Sequence, residues 1–334
     1  MYYYKSFFIV FVLGCFSCEK SGQFSYLNPS KAVIYEETQI LKTYPFSDPN
    51  PIPNIGRIYP YFKFDGYTNH AIDQSWKMVV MENEYLKVFI SPEIGGKIWG
   101  AIEKSTGKSF LYKNEVVKFR NIAMRGPWTS GGLEFNFGDL GHAPSCSTPV
   151  DYSLKKNDDG SVSCIVGAYD LPSRTRWNVK ITLPKDKAFL ETTVSWFNLT
   201  DEYTSYYHWM NAAAKASGNL EFFYPGKDFI GHGGEPSSWP ISSGRDLSKY
   251  ENNDFGGYKS YHVVNAYADF FGGYWKEDDF GFGHHTDYDV KPGKKLWIWG
   301  LSQQGMIWED LLTDNDGQYI EYQSGKLFNQ AAEQ

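Results

Sequence analysis

Carboxylates and imidazoles held in stiff surroundings are where this sequence could do chemistry. Glu134 follows Gly131-Gly132-Leu133 and stands among aromatic residues. Glu321 lies in the late alternating segment Tyr319-Ile320-Glu321-Tyr322-Gln323. Two carboxyls set across a sugar can serve as acid and base, or as acid and nucleophile, and their separation decides the stereochemical outcome. Imidazole titrates near neutral pH and is the usual third candidate. Among 7 histidines, His208 stands out inside the aromatic run Ser205-Tyr206-Tyr207-His208-Trp209-Met210-Asn211. Glu134, His208 and Glu321 are the expected catalytic group.

The stretch 121–149 is the expected binding segment. It sets Arg125, Trp128, Glu134, Asn136, Asp139 and His142 among glycines and prolines and shows little periodicity. Glycine bends a chain freely and proline fixes it, so such a run spends backbone entropy to place polar and aromatic groups. It is too aromatic for a disordered linker. The plain alternative is an ordered loop that plugs the end of a sheet.

Other chemistries are poorly supported. His284-His285 would point to opposite faces of a strand, and no cysteine–histidine cluster has zinc spacing, so no metal is expected. Asp314-Asn315-Asp316-Gly317 lacks the frame of a calcium loop, with Leu312 and Gln323 at the first and last ligand positions. Gly281-Phe282-Gly283 lacks the third glycine and the βαβ setting of a dinucleotide loop, and no nucleophile elbow or phosphate loop occurs. No cofactor is expected.

These side chains need a scaffold, and the sequence reads as all-β. Leu86, Val88 and Ile90 share one face, as do Ile98 and Ile102; Trp177, Val179, Ile181 and Leu183 alternate, as do Leu190, Thr192, Val194 and Trp196. Strands are expected at 38–44, 59–64, 77–82, 86–90, 97–103, 110–112, 150–155, 162–170, 174–183, 188–198, 203–214, 261–269, 272–276, 281–286, 294–299 and 317–323. Turn signals at this spacing argue a sandwich or barrel. Within 334 residues, aromatics make up 18%, with 25 Tyr, 24 Phe and 11 Trp. That surplus suits both a pleated core and the stacking of sugar faces. The net charge of −7 is spread along the chain, without a basic block, which makes nucleic acid a poor partner.

Residues 1–18 read as a signal segment. Lys5 precedes an apolar run that is too short to span a bilayer. Cys15 and Cys18 follow, and either suits acylation after cleavage, which would anchor the protein in a bacterial cell envelope. A plain secretory peptide is the alternative. Residues 19–75 read as a lead-in and proline-rich linker, and 76–334 as the folded domain. Cys146 and Cys164 could pair in an exported protein.

Several runs together resemble a known superfamily. EYLKVFISPEIGGKIWGAIEKSTGKSFLYKN resembles the opening of galactose-mutarotase-like domains. RGPWTSGGLEFNFGDLGHAPS, FNLTDEYTSYYHWMNAAA and YIEYQSGKLFNQ resemble a bacterial branch of it that is often followed by tetratricopeptide repeats. The resemblance implies an antiparallel β-supersandwich with long loops and a sugar on its concave face. It implies that His208, followed by Asn211, is a general acid, that Glu321 is a base, and that His142 and Arg125 orient the sugar. Trp128 and Glu134 go beyond what an aldose epimerase needs. Three functions follow as expectations: a carbohydrate-active lipoprotein that cleaves glycosidic bonds, an aldose 1-epimerase, or a non-catalytic sugar-binding or assembly module. The partners expected are a carbohydrate, the membrane through a lipid anchor, and glycan-utilisation proteins.

Overall fold

The computed structural model describes residues 4–6, 31–47, 66–121, 126–139, 141–142 and 144–326. The expected sites Cys15, Cys18 and Arg125, and the strand expected at 59–64, lie outside these residues.

Two β-layers enclose the main core. The larger is a 13-stranded sheet. Its central strands are β1 (Val33–Tyr44), β2 (Ile72–Glu82), β3 (Leu86–Ser91), β4 (Lys97–Glu103), β5 (Leu133–Phe137), β6 (His208–Lys215), β7 (Lys259–Val264), β8 (Gly293–Ile298) and β9 (Tyr319–Gly325). The spatial order is β7-β8-β9-β6-β5-β4-β3-β2-β1, antiparallel at each step. The second layer is a meander of Asp151–Lys156, Val162–Asp170, Thr175–Leu183 and Glu191–Asn198, with Tyr4–Ser6 at its edge. The all-β sandwich expected from alternation is present.

Alternation decides which residues fill it. Ile98, Leu133, Phe135, Met210, Ala212, Leu296 and Tyr322 face inward with Val166, Trp177, Val179 and Ile181 of the meander. Phe137 stacks on Trp177 at 4.6 Å and 8°. The opposite face of the large sheet carries the polar residues described below.

Three differences from the sequence reading bear on the site. The stretch 121–149 is not wholly loop, because β5 runs through its middle with every residue buried. The strand expected at 38–44 is longer, because β1 starts at Val33 and pairs with β2 from Val33↔Glu82 to Thr43↔Ile72. A helix, α1, spans Gln303–Leu312 and is capped by the Ser302 hydroxyl, which accepts from the Gly305 N–H. Gly305 and a weakly amphipathic pattern hid it from periodicity. Cys146 and Cys164 are both buried and are not joined to each other.

Candidate functional site

The site begins with a turn. Gly131 and Gly132 adopt φ +79° and +64°. A Cβ on Gly132 would lie 2.0 Å from the Ile98 carbonyl oxygen, so only glycine allows the chain to double back against β4 there. The turn launches β5 with Glu134 and Asn136 on the face away from the sandwich core. Register then lines up partners across the sheet: Glu134 opposite Asn211, Asn211 opposite Gln323, and Gln323 opposite Lys295. A second row places Ala213 opposite Glu321 and Glu321 opposite Trp297. Cross-strand partners share a face, so four β-strands, far apart in the chain, form one polar surface.

Glu134 is almost fully buried, and both its oxygens are occupied. Trp128 Nε1–H donates to Oε2 at 2.6 Å, and His142 Nδ1 meets Oε1 at 2.8 Å. Burial alone would raise its carboxyl. His142, then Lys97 and Asn136, reverse this and hold it below the ordinary carboxylate range. Lys97 is itself fully buried, donating to the carbonyls of Thr129 at 3.0 Å and Ser130 at 3.3 Å. His142 stands in the left-handed region at φ 57°. Asn136 pins that conformation by accepting the His142 backbone N–H on Oδ1.

Glu321 is displaced the opposite way. Burial raises its carboxyl, and the negative charge of Glu134 adds to the rise, against the pull of His142, Gln323 and Lys295. Gln323 holds the pair of rows together: its Nε2 donates to Glu321, and its Oε1 accepts from Trp209 Nε1 at 2.9 Å. Asn211 is 7% exposed, and its Oδ1 accepts no hydrogen bond among the described residues. Two strand spacings and two residues of rise put the Glu134 and Glu321 Cα atoms about 12 Å apart.

A cavity of about 420 Å³ opens over this surface. Glu321, Gln323, Asn211, His142, His232 and Lys295 supply its polar lining. Its walls are Trp128, Tyr207, Trp209, Tyr258, Trp297, Trp299 and Trp308. Tyr258 and Trp297 stack at 4.9 Å and 18°, which makes a flat platform. Helix α1 closes one side through Trp308, whose ring lies 4.8 Å from Trp299. Size and lining fit a sugar-sized ligand, with apolar walls and a few placed polar groups.

The structure brings Trp128, Asn136, His142, Asn211 and Glu321 to or beside this cavity, with Glu134 directly behind His142. It does not bring His208. Successive strand residues point to opposite faces, and Trp209 and Asn211 take the cavity face. His208 lies inside the sandwich, stacked on Phe137 at 4.7 Å. Burial, helped by Lys291, pushes its imidazole well below the usual range. It cannot donate a proton to a ligand in this cavity, which corrects the expected catalytic group. Lys295, Trp297, Trp299 and His232 were missed. The first three alternate along β8 and just beyond it, so period-two spacing alone could have placed them on one face.

Comparison with known proteins places the chain. Residues 53–334 match the model of a domain of unknown function, DUF5107. The chain belongs to the DUF5107 family. A TPR-domain containing protein from Parabacteroides distasonis ATCC 8503 superposes on this DUF5107 chain with a TM-score of 0.81 at 24% identity, over 90% of this chain and 52% of that one. The chain thus spans about half the length of that protein. The Slr1438 protein from Synechocystis sp. PCC 6803 superposes with a TM-score of 0.54 at 11% identity, over 75% of this chain and 85% of that one. Both likenesses are of fold.

Proposed function

We propose that this DUF5107 protein binds a glycan in the tryptophan-walled cavity and cleaves it by acid–base catalysis at an anomeric carbon. One observation carries the reading. Two buried carboxyls beside one cavity are displaced in opposite directions, with His142 between them in charge coupling to both. Carboxyls pushed apart in this way take different roles in acid–base chemistry.

The roles follow from which atoms are occupied. Glu134 has neither oxygen to spare, so it orients His142 through Nδ1 and stabilises the imidazolium, as the carboxylate of a catalytic triad does. That leaves His142 Nε2 as the base. Glu321, held toward its acid form, is the proton donor. In hydrolysis Glu321 gives its proton to the glycosidic oxygen as the bond to the anomeric carbon breaks. His142 takes a proton from the water whose oxygen forms the new bond to that carbon. The Tyr258–Trp297 platform carries the sugar face, and Asn211 and Gln323 meet hydroxyls.

Ring-opening epimerisation of an aldose is a second reading. What favours it is that His142 and Glu321 both face the cavity, with His142 in the acid role expected of His208. The resemblance to galactose-mutarotase-like domains points the same way. Placement in a bacterial envelope, anchored through Cys15 or Cys18, and assembly with glycan-utilisation partners belong to the proposal too.

The test is reducing-sugar release from a panel of glycans, beside polarimetry on fresh α-glucose and α-galactose. Release by the wild type should drop by about 10²–10⁴-fold in Glu321→Gln and in His142→Ala. Accelerated mutarotation without release selects the second reading. Undiminished activity in both variants sinks the assignment of these residues, and saturable binding without turnover makes the cavity a binding module.

A further inference from the structure

The cavity runs from an acidic to a basic end. Glu134 and His142 mark the first, and Glu321 stands between them and Lys295. Along the row Glu134, Asn211, Gln323, Lys295, the lysine stands three strand spacings, about 14 Å, from Glu134 at the Cα atoms. Its ammonium lies 5.7 Å from the Trp209 ring centre and 5.4 Å from that of Trp297. His232 also lies against Trp297, with ring centres 5.2 Å apart, and its Nδ1 is 3.1 Å from Ser260 Oγ. Lys295 and His232 both line the cavity. His262 is the cross-strand partner of Lys295, and burial, with Lys295 and His232 beside it, pushes its imidazole down to about 3, so it stays neutral there.

Neutral hydroxyls are already provided for by Asn211 and Gln323. A neutral sugar does not need an ammonium brought into an indole-walled cavity, where desolvation makes the charge costly. A ligand anion repays that cost, because a charge-assisted hydrogen bond in a water-poor site is stronger than a neutral one. The surroundings are set for such a gain. Burial pushes Lys295 down to about 7 against the pull of Glu321. Burial and Lys295 also lower His232, against the pull of Glu235. A negative group bound beside Glu321 at this end therefore draws a proton onto these two bases.

We propose that the bound glycan carries an anionic substituent, a ring carboxylate or a sulfate, and that Lys295 and His232 hold it while the anomeric carbon lies between His142 and Glu321. The proposal rests on the sugar reading above and names the class of sugar.

Its test starts from the full chain on an array of neutral, uronate-bearing and sulfated oligosaccharides, followed by calorimetric titration of the hits. Hits should fall among the acidic glycans, and uronate-only or sulfate-only binding identifies the anion. Lys295→Met should weaken acidic hits at least tenfold, and His232→Gln should weaken them less. The wild type supplies an arm that needs no variant. Above pH 7 its affinity for an acidic hit should fall about tenfold per pH unit, since binding must then return a proton to Lys295. The groups facing Lys295 are Glu321, His232 and His262, and Gln323 beside it does not titrate. Glu134 and His142 lie toward the far end. Neutral glycans bound as tightly as their acidic counterparts, or a pH-independent affinity for acidic hits, would overturn the proposal and leave the sugar reading intact. An array without hits would overturn both.

Discussion

Glu134 and Glu321 show how much a neighbour matters at the scale of one residue. They are the same amino acid, both buried, yet one is held ionised and the other toward its acid form. The difference lies in what touches them. Glu134 has an imidazole at 2.8 Å and a lysine close behind, whereas Glu321 has an amide and the negative field of Glu134. Opposite stability signatures follow. A depressed carboxyl contributes stability above its unfolded pKa of about 4.3, and that stability is lost as pH falls through the lower folded value. Glu134→Gln should therefore melt below the wild type at pH 6 and approach it near pH 3. A raised carboxyl has the reverse sign: its contribution is present below the unfolded value and is lost as pH rises through the folded one. Glu321→Gln should therefore gain on the wild type between pH 5 and pH 8. Parallel thermal melts of the three proteins at these pH values check both signs, and parallel behaviour of the two variants would contradict the charge assignment.

At the scale of elements, the Gly131-Gly132 turn into β5 is the joint that aims Glu134. Glycine at 132 meets both a positive φ and a carbonyl 2.0 Å from any added Cβ. The backbone of β4 is paired on both sides and cannot yield. Gly132→Ala should cost more than about 2 kcal/mol, with a lower Tm, and should disturb the Glu134–His142 contact. A urea melt gives the first, and the chemical shift of the His142 ring gives the second. Gly107→Ala is the control, since nothing lies within 4 Å of its Cβ although its φ is also positive at +72°.

For the whole molecule, β1 is a working part of the sheet. It covers the edge of β2, and Trp76 Nε1 donates to Thr43 Oγ1 at 2.9 Å. It also ties the far end of the chain: Tyr44 OH bonds Asp314 at 2.8 Å, and Lys42 pairs with the same carboxylate. The family match begins at residue 53, beyond this strand. A protein started at residue 53 should thus melt at least about 10 °C below one that retains residues 31–47, or self-associate through the bared edge of β2. Calorimetry and size-exclusion chromatography on both lengths would show it, and equal melting of the two would mean that β1 is dispensable.

Much of this was readable from residues alone. Alternation in Leu86–Ile90, Trp177–Leu183 and Leu190–Trp196 made the strands legible, because a half-buried strand must repeat every two residues. The Gly-rich stretch around Glu134 was legible as a candidate site because its composition spends entropy to place polar and aromatic groups. What alternation could not give was the absolute face of a strand. In His208–Lys215 both sets of alternate residues are buried, so sequence favoured the histidine where register selected Trp209 and Asn211. Nor could it show that Glu134 is occupied by Trp128 and His142, or that Lys295 joins the same row. Those facts depend on which strands become neighbours and in what register, and neither is set by local pattern. The sequence thus determined that a Gly-framed carboxylate would stand in an aromatic β-protein. Only the tertiary structure decided that Glu134 contacts His142 and that Glu321 and Lys295 face one cavity.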